Sequence, residues 1–177
     1  MYFLAKDEAN LLAAKLRRQI EGRPRAKLVL YYDSGNRDYP RAAKAIAASV
    51  GDFAEAHLLF LFGVTADGWD EGAANEMWAP YYRWRRANGE DRRLYDAPGH
   101  RFEPHEAEHL SEAIEFALRL GWDALVAAGP GRQLLFLSHD DRMEIHRGFK
   151  WRSLAEKLLG LGYWHRPGKS PIVPAAR

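Results

Sequence analysis

Two apolar runs of strand length, residues 123–128 and 133–138, lie on either side of Gly129-Pro130-Gly131-Arg132. Glycine and proline favour a tight reversal of the chain at this point. Each run is short for a helix and is bounded by turn-forming residues. The pattern predicts a β-hairpin, so this part of the chain is expected to fold as antiparallel sheet.

Helical and strand-like segments alternate along the rest of the sequence. Helices are predicted over residues 4–20, 38–49, 71–87, 103–120 and 149–161, and further strands over 27–32, 57–64 and 143–146. Gly121 is expected to end the helix over residues 103–120, which is the clearest of the five. Pro80 is expected to kink or split the helix over residues 71–87. Because helices and strands interleave early and strands cluster late, the sequence predicts an α+β fold. Its sheet is small and mostly antiparallel with packed helices, and α/β is the alternative.

The length of the chain suits one compact domain. A chain of 177 residues buries roughly 70% of the surface that it exposes when unfolded, which is enough for its own core. Residues 1–165 are predicted to form a single globular domain. Residues 166–177, which carry three prolines, are predicted to be a flexible C-terminal tail.

Charge and cysteine content exclude several classes of function. The chain has no cysteine, which excludes disulfide scaffolds, thiolate metal sites and cysteine nucleophiles. The formal net charge is only +2, so neither nucleic acid nor an anionic membrane is favoured as a partner. The N-terminal residues do not resemble a signal peptide, and the longest apolar stretch, 58–64, is far below the ~20 residues that span a bilayer. The expected location is the cytoplasm.

His105-Glu106-Ala107-Glu108-His109 matches H-E-x-x-H, the pattern of zinc proteases. Two histidines four residues apart on a helix can share a Zn²⁺ ion, and Glu106 would then be the catalytic base. The apolar stripe of this helix, however, is centred near Leu110 and Ile114. Both histidines lie roughly 100–140° away from it, on the boundary or solvent side. This orientation favours exposed histidines and no cofactor, and it leaves zinc as the alternative.

Aromatic and arginine residues are concentrated between positions 69 and 93. Such residues are typical anchors of protein interfaces, and they also hold single-stranded nucleic acid. Acidic residues interleave with the arginines, which argues against a continuous contact with phosphates. A partner-binding site is therefore predicted at Trp78, Tyr81, Tyr82, Arg85 and Arg86, most of which share one helical face. The alternative is that the aromatic residues are core and the arginines a solvated rim.

Ser138-His139-Asp140-Asp141 contains the residue types of a hydrolase triad. Neighbours on a strand point to opposite faces, so this order predicts a polar turn rather than a triad. The turns Asp33-Ser34-Gly35-Asn36 and Gly129-Pro130-Gly131 lack the glycine and lysine pattern of phosphate and dinucleotide loops.

One stretch of the sequence resembles a known class of proteins. It begins with Gly121-Trp122-Asp123-Ala124-Leu125-Val126 and continues, after a glycine turn, with Leu134-Leu135-Phe136-Leu137-Ser138-His139-Asp140. This stretch is similar to the C-terminal portion of small bacterial immunity-type proteins encoded beside toxins. In those proteins an acidic helix precedes a W-D strand and a second strand that ends in S-H-D. The resemblance covers residues 102–147 and implies a non-enzymatic protein that binds and blocks a partner.

The function predicted from the sequence is therefore a non-enzymatic protein-interaction module of the immunity kind. Two alternatives stay open. The first is a zinc-dependent hydrolase that uses His105, Glu106 and His109. The second is single-stranded nucleic-acid binding through the segment 69–93.

Overall fold

The computed structural model describes residues 1–21, 28–32, 38–51, 53–61, 76, 78–129, 133–147 and 151–164. The elements within these ranges are, in chain order, β1 (Tyr2–Leu4), α1 (Lys6–Glu21), β2 (Leu28–Tyr31), α2 (Tyr39–Val50), β3 (Ala56–Phe60), α3 (Ala79–Ala87), β4 (Gly99–Phe102), α4 (Ala107–Leu120), β5 (Ala124–Ala128), β6 (Gln133–Ser138), β7 (Arg142–Arg147) and α5 (Trp151–Leu159). A 3₁₀ turn, Pro104–Glu106, leads directly into α4. None of these helices combines the length and the apolar character that crossing a membrane requires.

The seven strands form one sheet in the order β1-β4-β3-β5-β6-β7-β2. Every pairing between these strands is antiparallel. The hairpin predicted around the Gly-Pro-Gly turn is confirmed, because Ala124–Ala128 pairs with Gln133–Leu137 in unbroken register. The fold is α+β, as the sequence predicts.

The alternation of side chains along the strands divides the core between the two faces of the sheet. On β3, Leu58 and Phe60 belong to a large cluster that includes residues of α2, α3, α4 and α5. Leu59 points the other way and joins a smaller cluster with Leu4 and with Leu16 of α1. One face of the sheet therefore carries four helices, and the other carries α1.

The ends of the helices follow local capping signals. The Asp38 side chain accepts a hydrogen bond from the Arg41 backbone N–H at 3.1 Å and begins α2. Glu103 and Glu106 form a reciprocal capping box ahead of α4. Gly121 ends α4 with a φ of 62°, in the left-handed region that favours glycine.

Two predicted helices begin later than the sequence indicates. Residues Tyr2–Leu4 pair with β4 as an edge strand, so α1 begins at Lys6. Pro80 lies in the first turn of α3, where its missing N–H breaks no helical hydrogen bond, so α3 itself is not kinked there. That Pro80 splits the longer predicted helix stays a prediction. Positions 71–75 and 77 of that predicted helix lie outside the described residues.

We expect Gly99→Ala to destabilise the fold, because β4 passes very close to β1 and α1. A Cβ atom at Gly99 would lie 3.0 Å from Leu4 Cβ and from Leu59 Cδ2. The free energy of unfolding, measured with urea, should fall by about 1–3 kcal/mol. Gly160→Ala is the matched control, since its nearest contact would be the Lys157 carbonyl oxygen at 3.4 Å. An equal loss in both variants would contradict the close packing at Gly99.

Candidate functional site

Arg85 of α3 is the largest fully buried side chain in the described part of the chain. Its Nη1 donates to the Tyr81 hydroxyl and to the Ala97 carbonyl, both at 3.0 Å. Its Nη2 donates to the Arg92 carbonyl at 3.2 Å. The guanidinium carbon also lies 5.1 Å from the centre of the Phe3 ring. Backbone oxygens, a hydroxyl and an aromatic face thus replace water around this cation.

His100 of β4 connects this cation to the sheet. The Tyr81 hydroxyl accepts from Arg85 and forms a second hydrogen bond with His100 Nε2, which lies 3.0 Å away. Burial lowers the pKa of His100 well below its ordinary value, and the charge of Arg85 acts in the same direction. Burial also raises the pKa of Tyr81. These three side chains, which we call the Arg85 network, therefore hold one positive charge, on Arg85.

The burial of the Arg85 network corrects part of the predicted binding site. Tyr81 and Arg85 are fully buried and Tyr82 is 8% exposed, so a partner protein cannot reach them in this structure. The helical face on which they lie is the core face of α3. The two tyrosines match the alternative interpretation of core aromatics. Arg85 matches neither interpretation, because it lies neither at an interface nor in a solvated rim.

Two residues of the predicted site remain accessible on and just before α3. Arg86 is exposed and Trp78 is half-buried. Trp84, which the sequence places to the side of the predicted face, has its ring 5.7 Å from that of Phe116 in α4. Its Nε1 donates to Glu112 Oε2 at 2.7 Å. We call the accessible set the α3–α4 surface: Trp78, Arg83, Trp84, Arg86 and Phe116.

The two histidines of the zinc-protease pattern do not lie on one continuous α-helix. His105 belongs to the 3₁₀ turn, with its side chain 75% exposed, and His109 belongs to α4. Glu106, the candidate base, is buried in the capping box and forms an ion pair with the α-ammonium group of Met1. Among the described residues, no group of three side chains is placed to hold a metal ion. The zinc hydrolase stays a prediction.

The segment that resembles a hydrolase triad forms the turn between β6 and β7. Ser138 is buried, and its Oγ accepts from the Asp140 backbone N–H at 3.2 Å. His139 turns away to Asp123, whose Oδ1 lies 2.9 Å from the ring Nδ1 and 2.8 Å from the backbone N. His139 Nε2 lies 3.3 Å from Asp140 Oδ1. The imidazole thus lies between two carboxylates rather than beside a serine nucleophile.

A further polar group on β7 is not indicated by the sequence pattern. Glu144 Oε1 lies 2.9 Å from Arg142 Nε, and its Oε2 lies 3.1 Å from His146 Nε2. The hydrogen bond to His146, together with the charge of Arg142, holds the pKa of Glu144 below its ordinary value. These side chains alternate with Met143 and Ile145, which face the large cluster. They therefore satisfy one another's charges on the face of the sheet that carries α1.

Two loops considered in the sequence fall largely outside the described residues. Asp33-Ser34-Gly35-Asn36 lies wholly outside, and so does the part of the aromatic and arginine segment that contains Trp69. Of the hairpin turn, only Gly129 is described, with a φ of 53°. The prediction that neither loop holds a phosphate therefore stays a prediction.

Tyr81→Phe removes the hydroxyl that joins Arg85 to His100. Arg85 then loses an acceptor and His100 loses a hydrogen-bond partner, both inside the core. We expect the free energy of unfolding to fall by about 1–3 kcal/mol, because buried polar atoms without partners are costly. Urea denaturation measures this change. Tyr2→Phe is the control, since Tyr2 is 52% exposed, and a loss no larger than in this control would count against the network.

The raised pKa of His139 gives a pH-dependent prediction. The hydrogen bond to Asp123 raises this pKa above 6.5, and the charges of Asp123 and Asp140 act in the same direction. Because the folded-state pKa is the higher one, the stabilisation is complete below the pKa of the unfolded chain. It is lost as the pH rises through the folded-state pKa. The stability difference between the wild type and His139→Asn should therefore be largest below pH 6.5 and shrink as the pH rises through the raised folded-state pKa.

Titration of the His139 ring by NMR tests the cause directly. The pKa should lie above 6.5 in the wild type, and Asp123→Asn should lower it more than Asp140→Asn does. Each variant serves as the control for the other, because each removes one of the two carboxylates that lie beside the His139 ring. A larger effect of Asp140→Asn would show that the contact with Asp123 is not the main cause.

Comparison with models of known protein families, with curated proteins and with solved structures gives no match for this chain. The resemblance to immunity-type proteins therefore stays a prediction from the residues of 121–126 and 134–140.

Proposed function

We propose that this chain acts by binding another protein, in the manner of an immunity-type protein that blocks its partner, through the α3–α4 surface. The observation that carries the proposal is the combination of partly accessible aromatic rings with exposed arginines on one pair of helices. Such residues contribute much of the binding energy of protein interfaces, because they combine a large apolar area with directional hydrogen bonds.

The aromatic part of the surface is held in place before any partner arrives. Trp84 is fixed by its hydrogen bond to Glu112 at 2.7 Å and by an edge contact with Phe3, with ring centres 6.2 Å apart. Beneath it, Arg85 anchors the same helix in the core. A side chain that is already ordered loses less conformational entropy on binding, which favours affinity.

The charge of α3 favours a partner with acidic groups at its contact surface. The helix, Ala79–Ala87, contains no acidic residue, and both Arg83 and Arg86 are exposed. Exposed charges of one sign increase the rate of association with a surface of the opposite sign. An acidic rim around an apolar centre is thus the complementary surface.

The motif that resembles immunity-type proteins lies directly beside this surface. Trp122, the tryptophan of the W-D strand, packs against Trp78 with ring centres 4.7 Å apart. The aspartate of the same motif, Asp123, bonds to His139 of the S-H-D segment. The tryptophan of the motif therefore supports Trp78, and its aspartate joins the two halves of the motif to each other, which is consistent with a structural role for the motif.

Photo-crosslinking in extracts of the source cell tests the proposal. A photoreactive amino acid in place of Arg86 should form a covalent adduct with a partner that mass spectrometry can identify. The same group in place of Arg18, exposed on α1 at the other face of the sheet, is the matched control. Arg83→Ala combined with Arg86→Ala should weaken binding of the purified partner by about tenfold or more in calorimetry.

The control variant for the affinity measurement is Arg17→Ala combined with Arg18→Ala, which removes the same charge from α1. Equal weakening by both double variants would show a general effect of charge and would overturn the assigned surface. The immunity-like part requires in addition that the purified chain inhibits its partner's activity at equimolar amounts. Binding without inhibition would remove that part alone.

A further inference from the structure

We infer that the cleft between α2 and α5 is a second binding site, which takes an acidic, partly apolar peptide segment of a partner protein. The cleft has a volume of about 430 Å³, and its lining consists of Arg41, Lys44, Ala45, Ala48, Glu156, Lys157, Gly160 and Leu161. Binding sites for small molecules and side chains usually measure roughly 300–1,000 Å³. No residue of the cleft belongs to the α3–α4 surface, so this inference does not rest on the proposed function.

Small residues contribute to the lining of the cleft from both of its sides. On α2, Ala45 and Ala48 are turned to the cleft, while Ile46 and Val50 are buried in the core. On the other side, α5 has ended and Gly160 contributes no side chain. Side chains of this size cannot fill the gap between neighbouring helices, so a space remains that a partner's side chains can enter.

The rim of the cleft is cationic. Arg41, Lys44 and Lys157 face a single acid, Glu156. Within the described part of the chain, the only ion pair of the Arg41 guanidinium is an exposed contact with Asp38, at 3.5 Å. Among the described residues, neither Lys44 nor Lys157 has an ion-pair partner. Two cations without partners beside an apolar floor are complementary to carboxylates that flank an aliphatic side chain.

The floor of the cleft favours a peptide over a nucleic acid. Leu161 and Ala45 are half-buried against the large cluster, and with Ala48 they form the apolar part of the lining. No aromatic residue is among the described lining residues, so bases have no ring on which to stack. Aliphatic side chains of a peptide, in contrast, can bury apolar area against these residues.

Fluorescence anisotropy with a designed peptide tests the inference on the full chain. The probe is a labelled peptide of about 16 residues, about 24 Å long as a helix, with leucines on one face and glutamates on both sides. Its counterpart has lysine in place of each glutamate. We expect the acidic peptide to bind with an affinity that falls as salt is raised, and the basic peptide to show no saturable binding.

Two variants distinguish the contribution of the cationic side chains to peptide affinity from the contribution of the open space in the cleft. Lys44→Glu combined with Lys157→Glu reverses the charge of the rim and should weaken binding of the acidic peptide by about tenfold or more. Ala48→Trp fills the cleft without a change of charge and should abolish binding. The controls are Lys15→Glu and Ala14→Trp on the exposed face of α1, which should leave the affinity unchanged.

Each of the other outcomes overturns the inference. These outcomes are absence of saturable binding of the acidic peptide, equal binding of both peptides, and equal losses in the α1 controls. Tighter binding of a single-stranded oligonucleotide of the same charge, lost in Ala48→Trp, would assign the cleft to nucleic acid. The chain could also fail to bind the peptide and instead self-associate with increasing concentration. If Ala48→Trp abolished that self-association, the cleft would be assigned to a second copy of the chain.

Discussion

A guanidinium that is buried away from water needs protein dipoles to replace its hydration, and this requirement organises one end of the fold. The acceptors around Arg85 come from its own helix, at Tyr81, and from the connection to β4, at Arg92 and Ala97. A buried charge without such partners costs several kcal/mol. Helix α3 and the connection to β4 therefore have to assemble together, because neither alone supplies all three acceptors of this cation.

The same connection protects an edge of the sheet. Arg92 donates to the Phe3 carbonyl of the edge strand β1 at 3.1 Å, and Glu90 holds this guanidinium with an ion pair of 2.6 Å. Burial alone would raise the pKa of Glu90, but the hydrogen bonds from Arg92 keep it below its ordinary value. At the opposite edge, Tyr31 of β2 pairs with Trp164. Both edges thus have partners for part of their backbone, which limits pairing with other chains.

Local signals explain what the sequence could predict, and distant contacts explain what it could not. The hairpin β5–β6, the cap at Asp38 and the end of α4 at Gly121 depend on residues a few positions apart. Arg85 was placed on the correct helical face but at the surface, because arginine is seldom buried. Its acceptors are fixed only by the tertiary fold. Trp84 could be found only once α4 had been placed beside α3.

The helices on one face of the sheet differ in the size of the side chains at their junctions, and this difference shapes both of the proposed binding surfaces. Where α3 meets α4, Trp84 and Phe116 fill the junction and remain partly accessible as aromatic area. Where α2 meets α5, Ala45, Ala48 and Gly160 leave the junction open. The aromatic side chains at the filled junction can insert into a pocket of a partner, whereas the open junction can receive side chains of a partner. Because both lie on a sheet whose edges are already partnered, contacts through the helices need no rearrangement of the strands.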